Sequence, residues 1–265
     1  MPGFSTYNLS LADGTHIVLS AIDQQADVWL EFFSNAAQLK KGDGPGQHII
    51  LSTNENSFMA RMPDGSVFRF TPFNDGMIRS RFLFGLSHVI SWQARDGMLL
   101  HGALAEHKNR GVLLIAKGGT GKTTSSKRLP LPWSSLSDDL ALIVRDASGE
   151  YWAHPWPTWS SFFEGGEGGK WDVKRMVPLH AVYQLLQAGK DWVEPLGTGE
   201  SIISLMQSAE QAFLPVRRSF DPDYNRQLRL QRFNHVCALA RCVPTNILHI
   251  SLRGSFWLIM EDSLR

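Results

Sequence analysis

One segment constrains this chain more than any other. A continuous apolar run, Val112 to Ile115, passes directly into a glycine-spaced loop, Ala116-Lys117-Gly118-Gly119-Thr120-Gly121-Lys122-Thr123. An unbroken apolar run bounded by turn residues reads as a strand buried on both faces. The loop after it is made of small residues, so the backbone can turn tightly, and a helix is expected to start near Lys122. Strand, glycine loop and helix in direct succession place the chain among α/β folds.

Residues 1–76 read as a small β-rich lobe. Tyr7 to Leu11 and His16 to Ile22 flank Asp13-Gly14, the signature of a hairpin with a tight turn. Val28 to Phe33 is a further apolar run, and Ile49 to Ser52 a short strand. Phe58 to Met62 and Val67 to Phe70 flank Pro63-Asp64-Gly65-Ser66, a second hairpin. Residues 77–97 read as a connecting helix, Met77 to Arg95. Ile78, Phe82, Gly85, Leu86, Val89, Ile90 and Trp92 share one face, and Gly97 serves as a stop.

The main core is expected over 98–265. It opens with a strand, Met98 to Glu106, and a turn at Lys108-Asn109-Arg110-Gly111 before the buried run. Leu136 to Val144 carries Ser137-Asp138-Asp139 at its start, and Tyr151 to Ala153 returns after a turn at Asp146 to Gly149. His154 to Lys170 is rich in Pro, Trp and Gly and reads as irregular. Ala181 to Gln187 fits a buried strand or a helix. Thr198 to Phe213 reads as a helix capped by Thr198, and Asp223 to Cys242 as another, ended by Pro244. Ile247 to Leu252 reads as a strand and Phe256 to Leu264 as a short helix.

Composition narrows the class. A hydrophobic share of 43% over 265 residues can bury a core without staples. The nine tryptophans read as aromatic packing. With 26 basic against 25 acidic residues there is no global field to attract nucleic acid or anionic lipid. Cys237 and Cys242 fit no zinc or redox spacing and read as free thiols in a reducing compartment. Met1 to Asp23 lacks the pattern of a secretory signal, and no stretch approaches the roughly twenty apolar residues of a membrane span. The expectation is a soluble cytoplasmic protein with neither nucleic-acid nor membrane partners.

The glycine loop carries a specific chemistry. Its backbone N–H groups can turn inward around a phosphate, Lys122 can reach β- and γ-phosphates, and the Thr123 hydroxyl can coordinate Mg²⁺. The cofactor expected is therefore ATP or another nucleoside triphosphate with Mg²⁺, contacted by Lys117, Gly118, Gly119, Thr120, Gly121, Lys122, Thr123 and Thr124. Ala116 stands where the motif G-x-x-x-x-G-K-[ST] has glycine, so the loop must enter without a left-handed residue there. Asp138 and Asp139 alternate sides if extended, so one can face a metal or an acceptor hydroxyl while the other is held behind. His101, inside an apolar run, can either be a satisfied core residue or hydrogen-bond a catalytic carboxylate. Glu164-Gly165-Gly166-Glu167-Gly168-Gly169-Lys170 offers acidic groups on a flexible backbone.

In order, His101-Gly102, the glycine loop, Ser137-Asp138-Asp139 and Glu164 with Asp172-Val173 resemble the core of the HPr kinase/phosphorylase family, whose fold is related to phosphoenolpyruvate carboxykinase. The resemblance covers roughly His101 to Val173, weakly the stretch from Ser251 to Trp257, and not the first ninety residues. It implies a P-loop kinase core of the HPr kinase/PEP carboxykinase-like type. It also implies Asp138 as general base with Asp139 beside it, His101 assisting the base, and Thr123, Glu164 and Asp139 around magnesium. Thr124 stands where that family tends to carry an acidic residue, and Glu167 where it has glycine. The chain is more similar to the relatives encoded beside ribosomally made peptides, in lasso-peptide pathways and SynChlorMet-type cassettes. The implied activity is phosphorylation of a Ser or Thr hydroxyl on a peptide or protein, with a precursor peptide as partner. A small-molecule phosphotransferase and a nucleotide-responsive, non-catalytic binding module remain the alternatives. A homo-oligomer is compatible with the sequence.

Arg217, Arg218, Arg226, Arg229 and Arg232 form a last cluster. They read as a solvated helix face or as a clamp on a phosphate or an acidic peptide.

Overall fold

The computed structural model describes residues 3–54, 57–70, 78–117, 119–158, 169–218, 220 and 222–264. Over these the fold is mixed α/β, with two mixed sheets and six α-helices. The first sheet is made of β1 (Thr6–Ser10), β2 (His16–Ala21), β3 (Lys40–Lys41), β4 (Gln47–Asn54), β5 (Ser57–Arg61) and β6 (Val67–Phe70), in spatial order β3-β1-β2-β4-β5-β6. Both expected hairpins form. Gly14 and Gly65 take φ of 85° and 84°, and Asp13 and Asp64 accept hydrogen bonds from the residue two further on.

β2 and β4 are parallel, and helix α1 (Gln24–Ala36) crosses between them. Here the structure corrects the sequence reading, which placed Val28 to Phe33 in β structure. Asp23 caps the helix by accepting from the Ala26 N–H at 2.8 Å. Ala26, Trp29, Leu30 and Phe33, spaced by three and four, are its buried stripe.

The larger sheet follows helix α2 (Ile78–Gln93). Its strands are β7 (Met98–Leu100), β8 (Gly102–His107), β9 (Arg110–Ile115), β10 (Ser134–Ser137), β11 (Ala141–Arg145), β12 (Tyr151–Pro155), β13 (Val177–Gln187), β14 (Trp192–Pro195) and β15 (Thr245–Ile250). The order is β10-β8-β9-β13-β12-β11-β7, with β15 against β13 and β14 against β15. The remaining helices are α3 (Lys122–Lys127), α4 (Thr198–Phe213), α5 (Pro222–Cys242) and α6 (Phe256–Ser263), with a 3-10 turn at Leu214–Val216. β13 settles the open reading of Ala181 to Gln187 as strand. It runs parallel to both β9 and β15, which leaves no polar edge for water.

Three smaller expectations are also corrected. The strand expected from Met98 to Glu106 is two strands broken at His101, because β7 pairs with β11 whereas β8 pairs with β9 and β10. Asp138 and Asp139 lie in the connection between β10 and β11, not at the start of a strand. The cap of α4 is Gly197, whose N–H donates to Glu200 at 3.1 Å, so Thr198 is already helical. At Gly97 the demand for glycine is steric: a Cβ would meet the Ser91 carbonyl oxygen at 2.2 Å.

Alternation along the strands divides the core. Leu113 and Ile115 of β9 face the layer of α4 and α5 with Leu205, Val236 and Leu239, and Val112 and Leu114 face α6 with Phe256 and Met260. Ala141 and Ile143 of β11 join the first layer, but Leu142 and Val144 point the other way. There they share one cluster with Phe82, Leu86 and Ile90 of α2 and with Leu30, Phe33, Phe58 and Phe70 of the first sheet. The first sheet, α2 and β11 are thus one continuous core. Each large side chain buried along that seam contributes roughly 2–3 kcal/mol.

Candidate functional site

The glycine loop leaves the C-terminal end of β9, the central strand between β8 and β13. Gly119 and Gly121 take φ of 79° and 106°, in the left-handed region. Nothing lies within 4 Å of a Cβ added at either, so glycine is required there for backbone freedom alone. The Lys117 carbonyl closes the turn, accepting from the Thr120 N–H at 3.3 Å and its hydroxyl at 2.8 Å. Gln187, at the end of β13, donates to the Thr120 carbonyl at 3.2 Å. Lys122 opens α3, and Gly121 accepts from Ser125 at 2.8 Å. Thr123 is half-buried and Thr124 exposed. Gly118 lies outside the described residues.

Lys122 is buried, and its Nζ donates to the Ala116 carbonyl at 3.1 Å, so the ammonium folds back across the loop. Burial holds its pKa below the ordinary lysine value, and the charge of Asp139 partly offsets this. The cation is therefore set in an environment that favours an added negative charge.

The carboxylate comes from the β10–β11 connection. The Gly102 N–H donates to the Asp139 carbonyl at 3.0 Å, which ties the two breaks in the sheet together. His101 Nε2 then lies 2.8 Å from Asp139 Oδ1, and His101 Nδ1 lies 2.6 Å from Gln211 Oε1. The Thr158 hydroxyl donates to Asp139 Oδ2 at 3.0 Å. Burial alone would raise the Asp139 carboxyl. The hydrogen bond and charge of His101, the Thr158 hydroxyl and the Lys122 charge together outweigh burial and hold it below the ordinary value.

The structure thus joins Lys122, Asp139 and His101. The residue that meets His101 is Asp139, whereas the resemblance assigned that histidine to Asp138. The backbone bond from Gly102 fixes the register that decides it. Asp138, half-buried, precedes it in the same connection.

Glu164, expected beside magnesium, lies outside the described residues, as do Gly165 to Gly168. Among the described residues no group of three or more His, Cys, Asp or Glu is placed to hold a metal ion. One ionised carboxylate and one hydroxyl, Asp139 and Thr123, still fit the chemistry of Mg²⁺, which takes few protein ligands and completes its shell with phosphate oxygens and water.

Gln211, Thr158 and Ser208 belong to the site and carry no motif. Ser208 brackets His101 twice, accepting from its N–H at 3.3 Å and donating to its carbonyl at 3.1 Å. A signal for α4 existed. Ser201, Ser204, Ser208 and Gln211 recur at helical spacing, and the three serines are buried, which calls for polar partners.

Residues 83–265, well over half of the chain, match the family described as SynChlorMet cassette protein ScmC. The chain belongs to that family. All of the site residues lie inside the matched span of this ScmC family member, and β1 to β6 lie outside it. No curated protein matches the sequence. No helix among the described residues is long and apolar enough to cross a membrane.

Proposed function

We propose that this ScmC family member is an ATP- and Mg²⁺-dependent kinase with an HPr kinase-like P-loop core, transferring a phosphoryl group to a Ser or Thr hydroxyl of a peptide or protein. The observation that carries the reading is the buried Lys122 ammonium, folded across a glycine loop and within the field of an ionised, histidine-held carboxylate. Membership of a cassette family supports an acceptor supplied by that cassette, most simply a ribosomally made precursor peptide.

The residues divide the work as follows. Gly119 and Gly121 let the loop backbone close around phosphates, and Lys122 places its charge on the β- and γ-oxygens. Mg²⁺, when bound, supplies neutralisation of the phosphate charge, and Thr123 and Asp139 would hold it. A carboxyl held below its ordinary pKa is a poor proton acceptor and a good fixed charge. Asp139 therefore suits ion holding and orientation, with His101, Gln211 and Thr158 fixing its geometry. Asp138 is left to orient the acceptor hydroxyl and take its proton. Catalysis comes from positioning and electrostatics.

The test is transfer of label from γ-labelled ATP to a peptide pool and to a metabolite pool. Label should enter peptides, and Asp138→Asn should lose roughly 10²–10⁴-fold in rate while nucleotide still binds. Label confined to metabolites would replace the peptide reading with a small-molecule phosphotransferase. A nucleotide-binding protein that labels neither pool would favour a non-catalytic module.

A further inference from the structure

A cavity of about 1040 Å³ lies where α2, α4, the 3-10 turn and α5 meet. Six arginines line it: Arg81, Arg217, Arg218, Arg226, Arg229 and Arg232. Glu210 is the acidic side chain among the described lining residues. Arg226, Arg229 and Arg232 follow one another at three-residue spacing along α5, each about 60° round the helix from the last, so they step from its exposed side to its buried one. Arg217, Arg218, Arg226 and Arg229 are exposed and form a rim, whereas Arg232 is only 6% exposed and forms the floor.

The floor arginine is incompletely satisfied. Its Nη2 donates to Glu210 at 3.1 Å, and its guanidinium sits 4.0 Å over the Phe213 ring. Its Nε and Nη1 are buried and have no hydrogen-bond partner among the described residues. A guanidinium taken out of water with two of its nitrogens unpartnered is unfavourable unless an anion meets it. The neighbours sharpen that demand: burial first, then the charges of Arg229 and Arg217, work against the Arg232 cation, and Glu210 only partly offsets them.

The lining also says what kind of anion. Leu214 is 66% exposed, and Pro215 and Pro222 stand with it between the arginines. A compact phosphate ion leaves those apolar surfaces uncovered. A peptide covers them with its own apolar side chains while its carboxylates take the forked guanidinium donors. The position fits as well. Glu210 lines the cavity, and the next residue of α4, Gln211, holds His101. A chain held in the cavity is therefore carried by the same helix that orients the His101–Asp139 pair.

We infer that this cavity binds an acidic peptide segment, with Asp or Glu side chains on the arginine rim and floor and apolar side chains on Leu214 and the prolines. The inference deepens the peptide-kinase reading by naming the class of acceptor sequence, and rests on that reading for the role of the bound peptide. The binding itself requires no nucleotide.

The experiment is fluorescence anisotropy on the full chain, without nucleotide, using a short labelled peptide of interspersed Glu and Leu. A matched peptide with Gln for Glu, and tripolyphosphate, serve as comparison ligands. The Glu peptide should bind, weaken with added salt, and lose roughly tenfold or more in affinity on Arg226→Glu with Arg229→Glu, two exposed positions that leave the core intact. Lys122→Ala should bind the peptide as the unaltered chain does, so a failed phosphate loop and a failed docking site give different results. Equal binding of the Glu and Gln peptides would overturn the inference. So would unchanged affinity in the folded double variant, or binding of tripolyphosphate but not of the Glu peptide.

Discussion

The loop site and the arginine cavity are both built from charged side chains, and they differ in how the charge is balanced. At the loop, Lys122, Asp139 and His101 answer one another, and Asp139 is met on both oxygens. In the cavity the exposed Arg217, Arg218, Arg226 and Arg229 stand around Arg232, whose Nε and Nη1 are buried without a hydrogen-bond partner among the described residues. Balanced charges hold their own geometry before any ligand arrives, which suits groups that must act at a fixed distance. Unbalanced ones are completed by the ligand and suit recognition.

The largest break in that contrast comes from removing one balanced partner. Asp139→Ala takes the acceptor from His101 and Thr158 and the opposite charge from the buried Lys122, and should cost roughly 2–3 kcal/mol in urea denaturation at neutral pH. The pH dependence follows from the sign of the shift. The folded pKa lies below the unfolded value of about 4, so the Asp139 contribution is present above that value and lost as pH falls through the lower, folded one. The variant should therefore lose part of the acid limb of the stability curve below about pH 4. A variant as stable as the parent at neutral pH would mean that the pair is not a structural unit.

A smaller effect sharpens the other side. Arg232→Met replaces an incompletely paired cation by an apolar chain of similar reach. Stability should change by no more than about 1 kcal/mol in either direction, and thermal denaturation reads it. A loss of roughly 3 kcal/mol or more would show that Arg232 is fully paired within the chain, and the contrast between the two sites would fail.

Local patterns in the sequence carried the strand–loop–helix at Val112 to Thr123, both hairpins of the first sheet, and the helices at Ile78–Gln93, Thr198–Phe213 and Pro222–Cys242. Each rests on interactions within a few residues. What was not legible depends on pairing across the chain. His101 meets Asp139 only because β7 and β8 pair with different strands, and no local pattern reports that. Nor does a local pattern report that Phe70 of the first sheet, Phe82 of α2 and Leu142 of β11 share one core. Helix α1 has local signals of its own: Asp23 caps it, and Ala26, Trp29, Leu30 and Phe33 recur at helical spacing through the apolar run of Val28 to Phe33. The buried arginine had a signal too. Leu228, Arg232, Val236 and Leu239 form the inward stripe of α5, and a charged residue on such a stripe calls for a partner.

The central claim is that the loop from Ala116 to Thr123 holds a nucleoside triphosphate through Lys122. Isothermal calorimetry with Mg²⁺ and an ATP analogue resistant to β–γ hydrolysis tests it directly, on the unaltered chain and on Lys122→Ala, with circular dichroism to establish that the variant is folded. The account predicts saturable binding by the unaltered chain and no measurable heat with the folded variant. Equal affinity in both, or no binding by the unaltered chain, would contradict it.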